Sequence, residues 1–200
     1  MYPTLFHIGS FPIATFGLMV ALGFLVGIQY TVYAVKRTTI PADRIYDLAL
    51  VVMISAIVGS RVVYILVEWE WFLDDPLSLI FSREGFVFYG GFIGAGGATI
   101  YYCYRKRLPL WPLADALAPA VALGHIFGRL GCYLNGCCYG TLCSYSYFFN
   151  RFPRITDAEG NITGSIPFMD HLAHHHVSAE DSFVAVHPTQ LYEVLGLLAL

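Results

Sequence analysis

One short stretch of the sequence, residues 124–140, concentrates polar and reactive side chains at the end of an apolar segment. It holds His125, Arg129 and Asn135 among glycines, together with three cysteines. An arginine beside an apolar run of membrane length is costly to bury unless it has an anionic partner. A guanidinium stays charged and can clamp a phosphate with two parallel donors. Arg129 is therefore a candidate for binding an anionic lipid headgroup; the alternative is that it snorkels to the membrane interface.

The composition indicates an integral membrane protein. Of the 200 residues, 57% are hydrophobic and 12% are charged, and soluble domains carry about twice that charged fraction. The 11 lysines and arginines are too few and too scattered for nucleic-acid binding. We expect an all-α, polytopic helical bundle that forms a single membrane-embedded domain over residues 1–200.

Five apolar segments are candidate membrane helices, which need about 20 residues. Four of them are close to this length, and the fifth is still apolar at residue 200. They are residues 12–35, 45–67, 86–104, 113–134 and the segment that starts at 187.

The charges between these segments predict an orientation. Loops 36–44 and 105–107 are basic, whereas loop 68–84 is acidic. By the positive-inside rule the basic loops are cytoplasmic, so the N-terminus is outside. Residues 141–186 would then form an extracytoplasmic polar head, and the cysteine-rich end of segment four would face the same side.

Helical periodicity places several reactive groups of segment four on one face. At about 100° per residue, Asp115, His125, Arg129 and Cys132 fall within an arc of about 100°. Arg61 lies deeper, in the middle of segment two. It should pair with Asp115, with Glu193 or with a phosphate, and both a structural ion pair and a ligand contact remain open.

Four cysteines lie near the outer end of segment four: Cys132, Cys137, Cys138 and Cys143. On an oxidising side of the membrane they favour at least one disulfide. Zinc binding is less favoured, because the spacing is not a pair of Cys-x-x-Cys motifs, and we predict no metal. A catalytic thiol is the third interpretation.

Two histidine-bearing stretches follow. Residues 171–176 include four histidines, which we interpret as a solvated loop rather than a transition-metal site. His187-Pro188 opens segment five and marks an extended turn before a helix. That turn orients the polar head, and His187 and Glu193 remain candidates for the site.

Together these motifs resemble the bacterial prolipoprotein diacylglyceryl transferases. The resemblance is carried by Gly-Arg-Leu-Gly-x-Tyr-Leu-Asn-Gly from residue 128 through to Gly140, and by His-Pro-Thr-Gln-Leu-Tyr-Glu at 187–193. Related family motifs match residues 16–19, 60–62, 89–91 and Asp115.

The resemblance implies an enzyme of the bacterial cytoplasmic (inner) membrane with its site on the periplasmic side. Such enzymes transfer the diacylglyceryl group of phosphatidylglycerol to the lipobox cysteine of a prolipoprotein signal peptide, within the membrane lipid and without a cofactor. A thioether forms and glycerol phosphate leaves. The family has seven membrane helices, two more than we find here, so we expect this chain to be a C-terminally truncated fragment.

The residues and the resemblance together suggest roles for individual residues. The candidate catalytic residues are Arg129, His125, Tyr89 and His187. The candidate substrate-binding residues are Arg129, Asn135, Gly140, Arg61, Gly90, Gly91, Glu193 and Asp115.

This sequence departs from the family pattern at three informative positions. Tyr89 stands where the family commonly has histidine, Cys132 where it has asparagine and Cys137 where it has glutamate. Our hypothesis is that His125, one helical turn before Arg129, serves as the general base in place of the missing histidine. A disulfide from Cys132 to Cys137 or Cys138 would replace the polar contacts that shape the family's loop.

Two other classes of function remain open at this stage. One is a membrane thiol-disulfide oxidoreductase that uses the four outer cysteines. The other is a non-catalytic phospholipid-binding membrane protein, which would bind phosphate through Arg129 without turnover.

Overall fold

A computed structural model describes residues 4–8, 11–81, 87–143, 150–156, 165–174 and 176–199 of the chain. The described residues are predominantly helical, as predicted, and they also form two short antiparallel strand pairs that we did not predict. In chain order the elements are β1 (Thr4–Ile8), β2 (Phe11–Ala14), α1 (Thr15–Val35), α2 (Asp43–Val67), α3 (Trp69–Asp74), α4 (Pro76–Phe81), α5 (Phe88–Lys106), α6 (Leu110–Asn135), β3 (Asn150–Pro153), α7 (Ile166–Ala173), β4 (Phe183–Val186) and α8 (Thr189–Leu198).

The predicted apolar segments match α1, α2, α5 and α6 to within three residues at each end. Within the described residues, three helices are long and apolar enough to cross a membrane, namely α1, α2 and α6. The described part of α8 is ten residues long. The count of five spans and the outside position of the N-terminus stay predictions.

The chain divides into two compact units, which are described separately below. Unit 1 comprises residues 1–27 and 120–200, and unit 2 comprises residues 28–119. Helices α1 and α6 each contribute residues to both units. A single domain over residues 1–200 stays a prediction.

In unit 2, α2 and α5 pack so closely that their backbones touch at glycines. A Cβ atom on Gly90 would overlap the carbonyl oxygen of Gly59 and would lie 2.7 Å from Cβ of Val63. A Cβ on Gly94 would lie 2.5 Å from the carbonyl oxygen of Ser55. Small residues at such positions let two membrane helices approach. Gly90 therefore lies at the contact between α5 and α2.

A cluster of buried, mostly apolar residues forms the core of unit 2 near the basic loops 36–44 and 105–107. The side chain of Thr38 closes the turn after α1 by donating to the carbonyl oxygen of Val35 at 2.8 Å. The buried members of this core are Val35, Ile40, Ile45, Leu48, Tyr102, Cys103, Leu113 and Ala116.

In unit 1, the N-terminal half of α1 lies against the C-terminal half of α6. A Cβ on Gly23 would lie 2.8 Å from Cβ of Phe127 and 3.1 Å from the carbonyl oxygen of Gly124. One on Gly131 would lie 3.1 Å from Cβ of Met19. These close contacts fix the half of α6 that carries His125 and Arg129.

The polar head has a small core of its own within unit 1. Strands β3 and β4 pair antiparallel, with Phe152 opposite Val184, and α7 packs against both strands. Phe152, Phe168, Val184 and Val186 are all buried between them. Our interpretation of residues 171–176 as a solvated loop is wrong for His171, because this residue lies in α7 and is only 8% exposed.

Burial of His171 predicts that the head loosens in acid. Burial lowers the pKa of His171, and the nearby ring of His176, with Nδ1 atoms 3.1 Å apart, lowers it further. The unfolded segment therefore takes up a proton near pH 6.5, before the folded one does. Stability is full above that pH and falls as pH decreases through the folded pKa. Hydrogen exchange of the α7 and β4 amides should speed up between pH 7 and pH 5.

The matched control for this pH dependence is His171→Asn, which removes the titrating ring. Its exchange rates, corrected for intrinsic chemistry, should vary less with pH than those of the wild type. An unchanged pH dependence in the variant would assign the effect to another group.

Candidate functional site

Arg129 forms an ion pair with Glu193, which joins α6 to α8 in unit 1. The Nε atom of Arg129 lies 2.5 Å from Oε2 of Glu193, and the two side chains are 26% and 42% exposed. The contact has the distance of an ion pair without the angle of a hydrogen bond. An arginine that emerges from an apolar helix thus has the anionic partner that its position requires.

His125 shares the same carboxylate. It precedes Arg129 by four residues, so both side chains lie on one face of α6. Its Nε2 atom is 3.8 Å from the Oε2 atom of Glu193 that pairs with Arg129. A guanidinium, a carboxylate and an imidazole therefore lie close together. We call Arg129, Glu193 and His125 the Arg129 cluster.

The structure changes one predicted pairing. We had proposed Glu193 among the partners of Arg61, but Glu193 pairs with Arg129. The guanidinium of Arg61 lies over the ring of Tyr64, 5.6 Å from its centroid. Its pairing with Asp115 or with a phosphate stays a prediction.

Helix α6 ends in a tight turn just beyond the Arg129 cluster. The backbone N–H groups of Gly136 and Cys137 both donate to the carbonyl oxygen of Cys132, at 2.8 and 3.1 Å. Gly136 adopts a left-handed conformation with φ of 78°, as is common at the residue after a helix C-cap. Cys138 is also left-handed, with φ of 58°, which is uncommon for a residue other than glycine.

The start of α8 holds this turn by its side chains. Gln190 donates from Nε2 to the carbonyl oxygen of Cys137 at 2.6 Å, and Thr189 donates from Oγ1 to that of Cys138 at 2.9 Å. Gln190 is 1% exposed. Thr189 and Gln190 are not among the candidate site residues that the sequence predicts. Their polarity at the start of an apolar helix was the signal available.

Backbone bonds complete the link between the two motifs. The N–H of Gly140 donates to the carbonyl oxygen of His187 at 2.9 Å, and the N–H of His187 donates to that of Thr141 at 3.0 Å. Nδ1 of His187 lies 3.1 Å from the hydroxyl of Tyr192. These contacts place His187 at the junction of the turn, the head and α8.

We predict that Gly140→Ala displaces the turn. The new Cβ would lie 2.7 Å from Cγ2 of Thr189, which is closer than real Cβ contacts allow, and 3.0 Å from Cβ of His187, which is tight. Overpacking of this kind costs about 1–3 kcal/mol. Thermal unfolding of the full-length protein in detergent should show a lower midpoint. Gly128→Ala is the matched control, because its Cβ would meet nothing within 4 Å, and an equal loss in both variants would contradict the prediction.

Tyr139 connects the turn to the polar head. Its hydroxyl donates to Oδ2 of Asp170 at 2.8 Å, and its ring lies near those of Phe152 and His171. Burial raises the pKa of Tyr139, and the hydrogen bond to Asp170 raises it further. Leu142 then bridges to Val186 of β4. The head therefore contacts the segment after the turn through Tyr139 and Leu142.

Three of the outer cysteines converge in the turn. The Sγ atoms of Cys132, Cys137 and Cys138 all lie within 4.8 Å of one another. The three are unbonded in the structure. Cys143 lies further along, where its N–H donates to the carbonyl oxygen of Ala185 at 3.0 Å. A disulfide among the four stays a prediction.

Comparison with known proteins decides the family. The family model described as "Prolipoprotein diacylglyceryl transferase" matches residues 3–200. The chain belongs to the prolipoprotein diacylglyceryl transferase family. The match confirms the resemblance noted in the sequence, and with the apolar helices it makes the protein a multi-pass membrane protein.

Curated relatives in this family are named phosphatidylglycerol--prolipoprotein diacylglyceryl transferase. The relative from Clostridium tetani is 36% identical over 140 residues, which cover 70% of this chain and 56% of the relative. The one from Bacillus cytotoxicus is 36% identical over 130 residues, 64% of this chain and 48% of the relative. The one from Dehalococcoides mccartyi strain BAV1 is 32% identical over 203 residues, which cover 99% of this chain and 68% of the relative.

The chain thus spans about half to two thirds of the length of these diacylglyceryl transferases. Neither alternative function, a thiol-disulfide oxidoreductase or a non-catalytic lipid-binding protein, is supported by these relatives.

The remaining predicted site residues of this family member lie in both units. Asn135 is the last residue of α6 and is half-buried. Asp115 and Tyr89 are exposed residues of unit 2, on α6 and α5. Gly90 and Gly91 follow Tyr89 on α5. Their roles in catalysis and substrate binding stay predictions.

Proposed function

We propose that this protein transfers the diacylglyceryl group of phosphatidylglycerol to the lipobox cysteine of prolipoprotein signal peptides. The reaction would take place at the periplasmic face of the bacterial cytoplasmic membrane. The observation that carries the proposal is the Arg129 cluster, in which a guanidinium, a carboxylate and an imidazole meet at the end of a membrane helix. The names of the relatives supply the substrates.

The reaction sets clear demands on such a site. The cysteine thiol loses its proton, its sulfur forms a bond to a glyceryl carbon, and the bond from that carbon to the phosphate oxygen breaks. Glycerol phosphate leaves with more negative charge than the phosphodiester had. A cation near the leaving phosphate therefore stabilises the transition state more than the bound lipid, and this difference raises the rate.

Arg129 has the chemistry for that task. Its contact with Glu193 involves Nε, and the guanidinium has two further nitrogen atoms, Nη1 and Nη2, that can clamp two phosphate oxygens side by side. Glu193 keeps the guanidinium oriented before the lipid arrives. The partial exposure of both side chains leaves a route for a headgroup.

His125 is the residue we assign as general base for the thiol. An imidazole is the side chain best suited to take a proton near neutral pH, and Glu193 lies within 3.8 Å to orient it. We predict that His125→Gln lowers the transfer rate about 100-fold or more, because positioned proton transfer contributes about 10²–10⁴-fold. The measurement is the initial rate of thioether formation on a lipobox peptide.

His174→Gln is the control for this substitution, because His174 is an exposed residue of the head. It should transfer at the wild-type rate. Full activity of His125→Gln would exclude His125 as the base and would direct attention to His187 or Tyr89.

The proposal is tested with the full-length protein in two steps. Expression in a bacterium depleted of its own diacylglyceryl transferase should restore growth and lipoprotein maturation. The purified protein, mixed with phosphatidylglycerol vesicles and a lipobox peptide, should add one diacylglyceryl group to the cysteine, seen by mass spectrometry. Vesicles without phosphatidylglycerol and a Cys→Ser peptide should give no product. A folded protein that fails both steps would overturn the proposal.

A further inference from the structure

We propose that Cys132, Cys137 and Cys138 together bind one thiophilic metal ion, of the class of Zn²⁺ or Cu⁺. The proposal concerns a structural site beside the Arg129 cluster and does not rest on the transfer reaction. It replaces our expectation from the sequence, which predicted no metal because the spacing lacks Cys-x-x-Cys pairs.

The first support is the convergence of three sulfur atoms. The three Sγ atoms lie within 4.8 Å of one another. Zinc–sulfur bonds of about 2.3 Å in tetrahedral geometry place two sulfurs about 3.8 Å apart. Rotation of the cysteine side chains covers a difference of about 1 Å. The backbone thus already has the form that a three-sulfur site needs.

The second support is the conformation of the turn. Cys138 is held with φ of 58°, in a region that a side chain makes unfavourable and that glycine adopts freely. The preceding turn already contains Gly136 in the same region, so glycine is the expected residue at 138 as well. Cysteine is uncommon in this conformation, and here the conformation brings its sulfur to those of Cys132 and Cys137.

The third support is the rigidity of the ligand-bearing backbone. The carbonyl oxygens of Cys137 and Cys138 accept hydrogen bonds from Gln190 and Thr189, and the helix end fixes Cys132 through its carbonyl oxygen. Such outer contacts orient metal ligands and raise their affinity. The N-terminal turn of α8 would act as the support of the site.

The chemistry of three thiols distinguishes a metal from a disulfide. Binding of Zn²⁺ by three thiolates releases three protons and leaves a group of net charge −1, whereas Cu⁺ would leave a charge of −2. A disulfide uses two sulfurs and leaves the third thiol unpaired, although all three converge. The exposed side chain of Cys138 gives the ion access and leaves a further coordination position for water.

The test uses the full-length protein, purified in detergent under reducing, oxygen-free conditions. Elemental analysis should find one zinc or copper ion per chain, and the identity of the ion distinguishes the two. After removal of that ion, titration with Co²⁺ should give one equivalent bound, with the sulfur-to-cobalt charge-transfer absorption of a thiolate site. Each of Cys132→Ser, Cys137→Ser and Cys138→Ser should weaken Co²⁺ binding about 100-fold or more.

Cys143→Ser is the matched control and should bind Co²⁺ as the wild type does. Thiol counting keeps the test decisive if a serine variant unfolds: in the folded wild-type chain, bound metal should slow the reaction of three thiols with a thiol reagent. Three fully reactive thiols at saturating Co²⁺ and Zn²⁺ would overturn the proposal. So would a mass loss of two hydrogens in a parallel preparation purified without reductant, since that marks a disulfide.

Discussion

Arg129→Ala is expected to lower diacylglyceryl transfer about 1,000-fold. Removing one preorganised donor from a site of developing negative charge costs about 100–1,000-fold in rate, and in our proposal Arg129 also supplies the charge that stabilises the leaving phosphate. Loss of the guanidinium would leave Glu193 without its partner beside an anionic lipid, which adds repulsion. The measurement is the initial rate of peptide lipidation at saturating phosphatidylglycerol.

Two further variants separate the causes of this loss. Arg129→Lys keeps the positive charge but loses the planar fork, so it should recover a part of the rate. Glu193→Gln removes the orienting carboxylate but keeps the guanidinium, so its loss should be smaller than that of Arg129→Ala. An Arg129→Ala protein that folds and retains a tenth of the wild-type rate would contradict the assignment of the phosphate to Arg129.

Gly90→Ala is expected to destabilise unit 2 by about 3 kcal/mol, at the upper end of the usual cost of overpacking. The added methyl group would overlap the backbone of Gly59 and would press on Val63. Backbone atoms on a packed helix cannot move aside as a flexible side chain does, so α2 and α5 must separate. The fraction of protein that stays folded after heating in detergent measures the effect.

Gly97→Ala is the matched control on the same helix. A Cβ at Gly97 would meet nothing within 4 Å, and alanine is a better helix former than glycine by about 1 kcal/mol. Gly97→Ala should therefore be neutral or slightly stabilising. If both variants lose stability equally, close packing of α2 on α5 is not what Gly90 provides.

The helices were predictable from the sequence because their signal is long and local. An apolar run between charged loops determines where α1, α2 and α6 lie, and the boundaries follow from Lys36-Arg37 and similar charges. The strands of the polar head have no such long and local pattern in the sequence. Strands β3 and β4 are four residues each, too short for a clear alternation, and their pairing depends on contacts between distant parts of the chain.

The sequence predicted which residues form the site better than it predicted which of them contact each other. Helical spacing put His125 and Arg129 on one face, and the family resemblance selected Glu193. No local pattern says that Glu193 lies against Arg129 rather than Arg61, because this depends on how α8 packs on α6. The sequence suggested that Cys132 lies near Cys137 or Cys138, as the partner of a disulfide. It did not predict that all three sulfur atoms converge, because this arises from the left-handed turn at the end of α6.

The stoichiometry of the reaction tests the central claim most directly. Purified full-length protein would be given phosphatidylglycerol labelled in its headgroup and a lipobox peptide, and released glycerol phosphate would be counted against thioether formed. We predict one glycerol phosphate per thioether, with both products falling together in Arg129→Ala. Wild-type rates of both products in Arg129→Ala, or thioether without glycerol phosphate, would contradict the role of Arg129 at the leaving phosphate.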